Sequence, residues 1–341
     1  MTDQNVAVIL FNLGGPDRPA AIRPFLINLF SDPNIINAPK IIRWLLARLI
    51  AWRRVPVARG IYAKIGGSSP IVTETKKQAG ALEQCLKDQG FASVRCFSVM
   101  RYWHPRAKQV LAEMKQFAPE HVVLLPLYPQ FSTTTTRSSI EEWLAEAELL
   151  DFTANMHVIC CYPEQPDFIA AHAVRIQDQA SDYFGSPRLK KARLLFSAHG
   201  LPQRIVDAGD PYPMQVEKTA IAIAQKLGLG RDEWEICYQS RVGPLKWLGP
   251  STEERLRVAG AAKMPVVLVP IAFVCEHSET LVELDMEYKH LAKTVGVPDY
   301  IRIAALGVQP DFIHGLSQLV QNALSHTVLC GSETIRCPVN E

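Results

Sequence analysis

The stretch LLFSAHGLPQR, residues 194–204, contains the histidine that is best placed for chemistry in this sequence. An apolar run typical of a buried strand ends at Ser197, and Gly200 and Pro202 mark a turn directly after His199. The histidine is therefore predicted to lie where a strand ends and a loop begins. A neutral imidazole with a pKa of about 6.5 can accept a proton or bind a divalent metal such as Fe²⁺. A structural role in the turn is the alternative.

The acidic segment CEHSETLVELDMEY, residues 275–288, is the second candidate. Four glutamates follow one another at intervals of three, four and four residues: Glu276, Glu279, Glu283 and Glu287. A helix would place them on one face, where like charges are unfavourable by a few tenths of a kcal/mol per pair. A solvated helix start is one interpretation, because acids are favourable there. The other is that protons or a cation travel along this face beside His277.

Further candidates follow other predicted strands. Arg101 could hold a substrate carboxylate with two parallel hydrogen bonds, and Tyr102 beside it offers an aromatic wall. A surface ion pair is the alternative for these two residues. Tyr62, the segment GGSSP at 66–70 and the threonine run at 133–136 could line a cleft, although none is specific alone.

The candidate residues follow predicted strands, and parallel strands would bring their carboxyl ends together at one edge of a sheet. Near-continuous apolar runs alternate with helical patterns, which predicts parallel sheets covered by helices on both faces. The predicted strands are 6–13, 93–100, 121–128, 156–163, 193–198, 233–240, 265–274 and 300–306. The predicted helices between them are 73–89, 105–117, 138–150, 166–184, 213–228 and 251–261.

The two halves of the sequence resemble each other. VAVILFNLGGP and ARLLFSAHGLP each run into a Gly/Pro turn, while HVVLLPLYPQFS and PVVLVPIAFVCEHSE each carry a proline inside the predicted strand. We predict an α/β fold of two similar Rossmann-like domains, each a parallel sheet covered by helices, with a cleft between them. The domains are expected at 1–165 and 166–309. A C-terminal helix at 310–328 should pack back on the first, followed by a short cysteine-containing tail at 329–341.

Composition excludes several classes of protein. The chain has 341 residues, a net charge of +2 and no basic block with interleaved aromatics, which argues against nucleic-acid binding. We find no secretory signal and no apolar run of about 20 residues, so a cytoplasmic location is expected. The eight cysteines should then be reduced. The stretch IIRWLLARLIAWRR, residues 41–54, is typical either of membrane contact or of a partly buried helix.

Over residues 6–328 the sequence resembles the ferrochelatase family. The resemblance is carried by motifs in a specific order: FNLGGP, IYAKIGGSSPI, MRYWHP, PLYPQFSTTTT, FSAHGLPQR, YQSRVGPLKWLGP and FVCEHSETLVELDMEY. It implies insertion of Fe²⁺ into protoporphyrin IX with release of two protons, the terminal step of haem biosynthesis, with no cofactor needed for the chemistry. A non-catalytic haem or metal-complex binding protein is one alternative. A chelatase for another metal or tetrapyrrole is another.

The resemblance also implies residue roles. His199 and Glu279 match the family's catalytic and metal-binding pair, and we expect them to face each other from separate lobes. The implied acidic path consists of Glu276, His277, Glu283 and Glu287. The implied porphyrin-binding residues are Ile36, Tyr62, Ser69, Arg101, Tyr102 and Trp247.

Two features occur in only part of the family. Some members carry a [2Fe–2S] cluster on a C-terminal extension, and the candidate ligands here are Cys160, Cys161, Cys330 and Cys337. Ser332 stands where a middle cysteine would be, so a tail with two free thiols is the alternative. Members are often peripheral to membranes through an apolar lip, which implies contact through residues 24–52 at the inner face of a membrane. Both a monomer and a homodimer are compatible with the sequence.

Overall fold

The structure, a computed structural model, describes residues 4–183, 192–241 and 245–331. These residues form two compact units. One consists of the described chain up to Cys161 together with the described residues from Leu316 onward, and the other is Tyr162–Gly315. Within the described part of the chain, no helix combines the length and the apolar character needed to span a bilayer.

The first unit is built on a five-stranded parallel sheet. Its strands lie in the order β2-β1-β3-β4-β9. They are β1 Val6–Asn12, β2 Val94–Met100, β3 His121–Pro126, β4 Asn155–Cys161 and β9 Val328–Cys330. The helices are α1 Ile22–Phe30, α2 Lys40–Ala63, α3 Ile71–Asp88, α4 Ala107–Phe117 and α5 Ser138–Leu149. All seven residues of β1 are buried, as expected for the central strand of a sheet covered on both faces.

The second unit is built on a four-stranded parallel sheet in the order β6-β5-β7-β8. Its strands are β5 Arg193–His199, β6 Trp234–Gln239, β7 Val266–Pro270 and β8 Tyr300–Arg302. The helices are α6 Pro166–Gln179, α7 Gln203–Asp207, α8 Tyr212–Lys226, α9 Thr252–Ala261 and α10 Lys289–Val295. A π-helix, Glu279–Tyr288, precedes α10 directly, and α11 is Pro310–Ala323.

The strand orders confirm the predicted repeat and the α/β fold class. The order β2-β1-β3-β4 in the first sheet is repeated as β6-β5-β7-β8 in the second. In such doubly wound sheets the strand order reverses at one point, and ligands bind outside the carboxyl ends of the strands there. That point lies between β1 and β3 in the first unit and between β5 and β7 in the second.

Two local features differ from what the sequence pattern predicts. The prolines expected inside strands, Pro126 and Pro270, are the last residues of β3 and β7, because proline has no amide to donate to a continuing ladder. The segment Glu279–Tyr288 is a π-helix, with hydrogen bonds from residue i to i+5, a form that is rare and often lies at functional sites.

Candidate active site

His199 is the last residue of β5, and the turn after it depends on glycine. The amide of Gly200 donates to the carbonyl of Gln239, 2.9 Å away at the end of β6. A Cβ at residue 200 would lie 2.9 Å from that oxygen and 3.4 Å from the indole of Trp247. Any side chain here would therefore displace the backbone, and Trp247 lies against the turn that carries His199.

His199 and Glu279 are in direct contact. Nδ1 of the imidazole lies 2.9 Å from Oε2 of the carboxylate, and the side chains are 38% and 35% exposed. Burial acts to lower the pKa of His199, but the charge and hydrogen bond of Glu279 outweigh it and raise that pKa. Burial likewise acts to raise the pKa of Glu279, yet His199 outweighs it and lowers the pKa to about 2. Because the carboxylate accepts the Nδ1 proton, Nε2 is the nitrogen suited to accept a second proton or bind a metal.

The expectation that this pair comes from separate lobes was wrong. His199 and Glu279 both lie in the second unit, one at the end of β5 and the other in the segment that follows β7. Strands β5 and β7 are parallel neighbours on either side of the point where the strand order reverses. Adjacent strand ends of one sheet therefore bring the two side chains together.

Ser240, which the sequence interpretation missed, connects Glu279 with Glu283. It follows β6 with φ of +61°, an uncommon backbone conformation for a residue other than glycine. Its amide donates to Oε1 of Glu283 (2.8 Å), and its hydroxyl contacts both that carboxylate and Oε2 of Glu279 (3.1 Å). The hydroxyl of Tyr288 also donates to Glu283 (2.8 Å). A single serine after a strand carries no sequence signal beyond its place in YQSRVGP.

The glutamates of the π-helix have different electrostatic environments. Burial and the neighbouring charge of Glu279 raise the pKa of Glu283, the opposite of the shift at Glu279. Glu287, four residues further on, is exposed to solvent. Neighbouring carboxyl groups whose pKa values are pushed apart can divide the tasks of acid and base. The helix therefore runs from an ionised carboxylate, through one that holds a proton more readily, to the surface.

Glu276 has a different environment from the three glutamates of the helix, and its place in the acidic path stays a prediction. It precedes the helix, so helical spacing does not apply to it. Arg302 of β8 lies 2.6 Å from its carboxylate and also pairs with Asp285, while the amide of Ala305 donates to it (2.9 Å). Burial acts to raise the pKa of Glu276, but Arg302 outweighs it and lowers that pKa. The compensating charge comes from another strand and was not visible within the segment.

Phe273 contacts both imidazoles of the site. Its ring lies edge-on to His277 at 4.4 Å between centroids and to His199 at 6.3 Å. His277 itself is buried, and burial lowers its pKa although Glu279 and Glu276 act in the other direction. It is therefore neutral at neutral pH.

Most of the residues predicted to bind porphyrin lie in the first unit. Tyr62 and Tyr102 belong to one buried cluster formed largely by α1 and α2. Ser69 packs against Gly15, where a Cβ would come within 2.6 Å of the serine. Ile36 is half-buried in the turn between α1 and α2. Their role in binding stays a prediction.

Arg101 and Tyr102 have a different environment from the open fork and aromatic wall that were expected. Asp32, which is fully buried and was missed, lies 2.9 Å from the Arg101 guanidinium and accepts the Tyr102 hydroxyl (2.8 Å). Nε of Arg101 donates to Ser138 (2.7 Å), and Nη1 lies 3.4 Å from Glu142. The guanidinium is therefore engaged by protein groups, and the Tyr102 ring is covered.

Three cysteines converge at the edge of the first sheet. The register pairs Ile159 with Leu329 but Cys161 with Cys330, so Cys160 is an extra residue in a β-bulge. Successive side chains of a regular strand point to opposite faces, and the bulge lets both cysteines approach the third. The Sγ atoms of Cys160 and Cys161 lie 3.8 and 3.7 Å from that of Cys330, all within 4.8 Å of one another. The fourth predicted ligand, Cys337, lies outside the described residues.

Comparisons with known proteins agree on one family. The family model described as ferrochelatase matches residues 5–324. A ferrochelatase of Caulobacter vibrioides is 49% identical over 99% of this chain and 98% of its own length. A ferrochelatase of Pelagibacter ubique is 46% identical over 97% of this chain and 98% of its own length.

Two solved structures share the fold. SirB from Bacillus subtilis with Fe³⁺ has a TM-score of 0.55 at 14% identity, covering 94% of this chain and 95% of that one. DR2241 from Deinococcus radiodurans, described as similar in structure to chelatases, has a TM-score of 0.51 at 12% identity. The match covers 95% of this chain and 55% of DR2241.

The buried pair of Asp32 and Arg101 yields a stability prediction. Asp32→Ala should lower the free energy of unfolding by about 3 kcal/mol, because it leaves a largely buried guanidinium without its nearest carboxylate. Urea unfolding followed by circular dichroism measures the loss. Asp17→Ala, which removes an exposed partner of Arg18, is the control and should change stability by less than about 0.5 kcal/mol. Equal stability of both variants would contradict the importance of the Asp32 contacts.

Proposed function

The chain belongs to the ferrochelatase family, whose members insert Fe²⁺ into a porphyrin, and on that premise we propose that His199 and Glu279 form its reaction centre. The observation that carries the proposal is their 2.9 Å hydrogen bond between two partly exposed side chains at the switch point of a parallel sheet. Protoporphyrin IX is the proposed porphyrin.

In this proposal His199 is the proton acceptor. Two pyrrole protons must leave the porphyrin as the metal enters, and Nε2 of His199 is suited to take them one at a time. Glu279 holds Nδ1–H in place, raises the pKa of the imidazole and stabilises the imidazolium that forms. Ser240 and Glu283 then lead away from the pair, and Glu287 ends the path in solvent.

Substitution at His199 tests the proposal. His199→Ala should lower kcat for Fe²⁺ insertion by about 10²- to 10⁴-fold, the usual contribution of a positioned acid–base group. Anaerobic insertion followed by absorbance measures kcat, and fluorescence quenching measures porphyrin affinity, which should stay within about threefold. His290→Ala, on the exposed face of α10, is the matched control. Undiminished turnover in His199→Ala would overturn the assignment.

We further propose that the three converging cysteines, with Cys337, bind a [2Fe–2S] cluster. Thiolates are the usual ligands of such clusters, and the apolar surroundings with buried Phe131 limit access of water to the three described sulfurs. The group would supply one-electron redox chemistry, and the chain's contribution is the bulge that presents adjacent cysteines to Cys330.

Spectroscopy of the purified protein tests the cluster. Anaerobically purified protein should show visible absorbance between 300 and 600 nm (roughly the range of thiolate-to-iron charge transfer) and contain acid-labile sulfide. Cys330→Ser should lose both, because it removes the central sulfur. Cys85→Ser, on α3, should keep both. A colourless protein without labile sulfide would contradict the proposal.

Peripheral membrane contact through residues 24–52, at the inner face of a membrane, is a third proposal. Helix α2 buries small residues such as Ala47 and Ala51 and exposes a stripe of large apolar ones. The stripe is Ile41 (77% exposed), Leu45 (56%), Leu49 (46%) and Trp52 (66%). Arginines occur along the same helix, and apolar contact combined with basic charge favours anionic lipid surfaces.

Vesicle sedimentation tests the membrane contact. The protein should bind vesicles of phosphatidylcholine with about 30% phosphatidylglycerol, a composition that carries the negative surface charge basic residues require. Leu45→Ser combined with Trp52→Ser should reduce the bound fraction at least about fivefold, because both remove apolar area from the stripe. Leu149→Ser, which removes from α5 a leucine that is more exposed than Leu45, should bind like the unaltered protein. Unchanged binding of the double variant would contradict the proposal.

A further inference from the structure

His277 occupies the position that caps the π-helix. Ser278 already has helical backbone angles (φ −59°, ψ −35°), so His277 is the last residue outside the helix. Its carbonyl accepts the amide of Leu281 at 3.0 Å, the first hydrogen bond of the helical segment. A residue with this geometry is an N-cap, and its side chain is placed to satisfy an amide of the first turn.

Two reciprocal hydrogen bonds join His277 to Thr280 in the first turn. The Thr280 amide donates to Nδ1 of the imidazole (3.2 Å), and the His277 amide donates to Oγ1 of Thr280 (3.0 Å). This is the arrangement of a capping box, with an imidazole nitrogen in place of the usual serine or threonine oxygen. Thr280 is fully buried, so its amide has no water as a substitute partner.

The cap also determines which tautomer His277 adopts. Nδ1 must present its lone pair to the Thr280 amide, so the proton of the neutral ring is on Nε2. A nitrogen that already accepts an amide proton is not available to take another proton or to bind a metal. Nδ1 is therefore engaged by the cap, and a place for His277 in the acidic path stays a prediction that would involve Nε2.

We propose that His277 is a positioning residue, which holds Glu279 in contact with His199 by capping the first turn of the π-helix. Glu279 lies between the two residues of the box, so the cap determines where its carboxylate points. The ring of Phe273 packs against both imidazoles and keeps the capping residue in register with the end of β5. The proposal rests on the role proposed above for Glu279.

Substitution of His277 by asparagine or by glutamine distinguishes a capping role from a role that requires the imidazole itself. In His277→Asn, Oδ1 lies near the position of Nδ1 and can accept the Thr280 amide, and asparagine is among the best N-caps. In His277→Gln, the amide group reaches the position of Nε2 and leaves the cap unmade. We expect the Asn variant to retain kcat within about threefold, whereas the Gln and Ala variants should lose at least about tenfold with KM for porphyrin unchanged.

Hydrogen exchange at the Thr280 amide reports on the cap without reference to activity. Protection should be kept in His277→Asn and fall at least about tenfold in His277→Ala and His277→Gln, since an unmade cap exposes that amide to exchange. Thr280→Ala, which leaves the imidazole in place but removes the reciprocal acceptor, should lower kcat in the same way. This variant addresses the case in which substitution of His277 prevents folding.

Some outcomes would overturn the proposal. One is an Asn variant as inactive as the Ala variant while Thr280 stays protected, because the imidazole itself would then be required. Another is full activity of His277→Gln. If the proposed function failed, His199→Ala would remain active, whereas the exchange pattern at Thr280 would still report whether the cap exists.

Discussion

The hydrogen bond between His199 and Glu279 is the interaction on which the site depends. It joins the end of β5 to the first turn of the π-helix, two segments that are 80 residues apart. Three features hold the pair together: the glycine turn after His199, the serine that approaches from β6, and the histidine cap at the start of the helix. All three lie at the carboxyl ends of neighbouring strands, where a doubly wound sheet leaves room for a ligand.

Three glutamates of the acidic segment differ in pKa because each contacts different neighbouring groups. Glu276 forms an ion pair with Arg302, Glu279 accepts a hydrogen bond from His199, and Glu283 is held by neutral hydroxyl and amide donors. Arg302 lowers the pKa of Glu276, and His199 lowers that of Glu279 through its hydrogen bond and the charge it carries when protonated, whereas burial beside an anion raises the pKa of Glu283. One short acidic segment thus supplies a structural ion pair, an ionised carboxylate beside the histidine and a carboxyl group able to hold a proton.

The first unit shows the same dependence on partners that are distant in sequence. Asp32 reaches Arg101 and Tyr102 from the turn after α1 and engages both. The strand Val328–Cys330 joins the sheet beside β4, and a bulge there aligns three sulfurs. The cysteines were identified in the sequence, but the partner of Asp32 and the bulge were not, because local periodicity does not record which remote residue a side chain meets or where a strand gains an extra residue.

The sequence alone determined the α/β class, the repeat and the candidacy of His199, because these follow from local patterns: apolar strands, helical spacing, and a histidine between a strand and a Gly/Pro turn. Glu279 was assigned as the partner of His199 by the resemblance of FVCEHSETLVELDMEY to the family motif. The tertiary structure decided which side chains contact one another. It placed His199 and Glu279 in one unit, paired Glu276 with Arg302, and added Ser240 and Asp32. Each of these results depends on distances between groups far apart in the chain, which exist only once the strands have been ordered in a sheet.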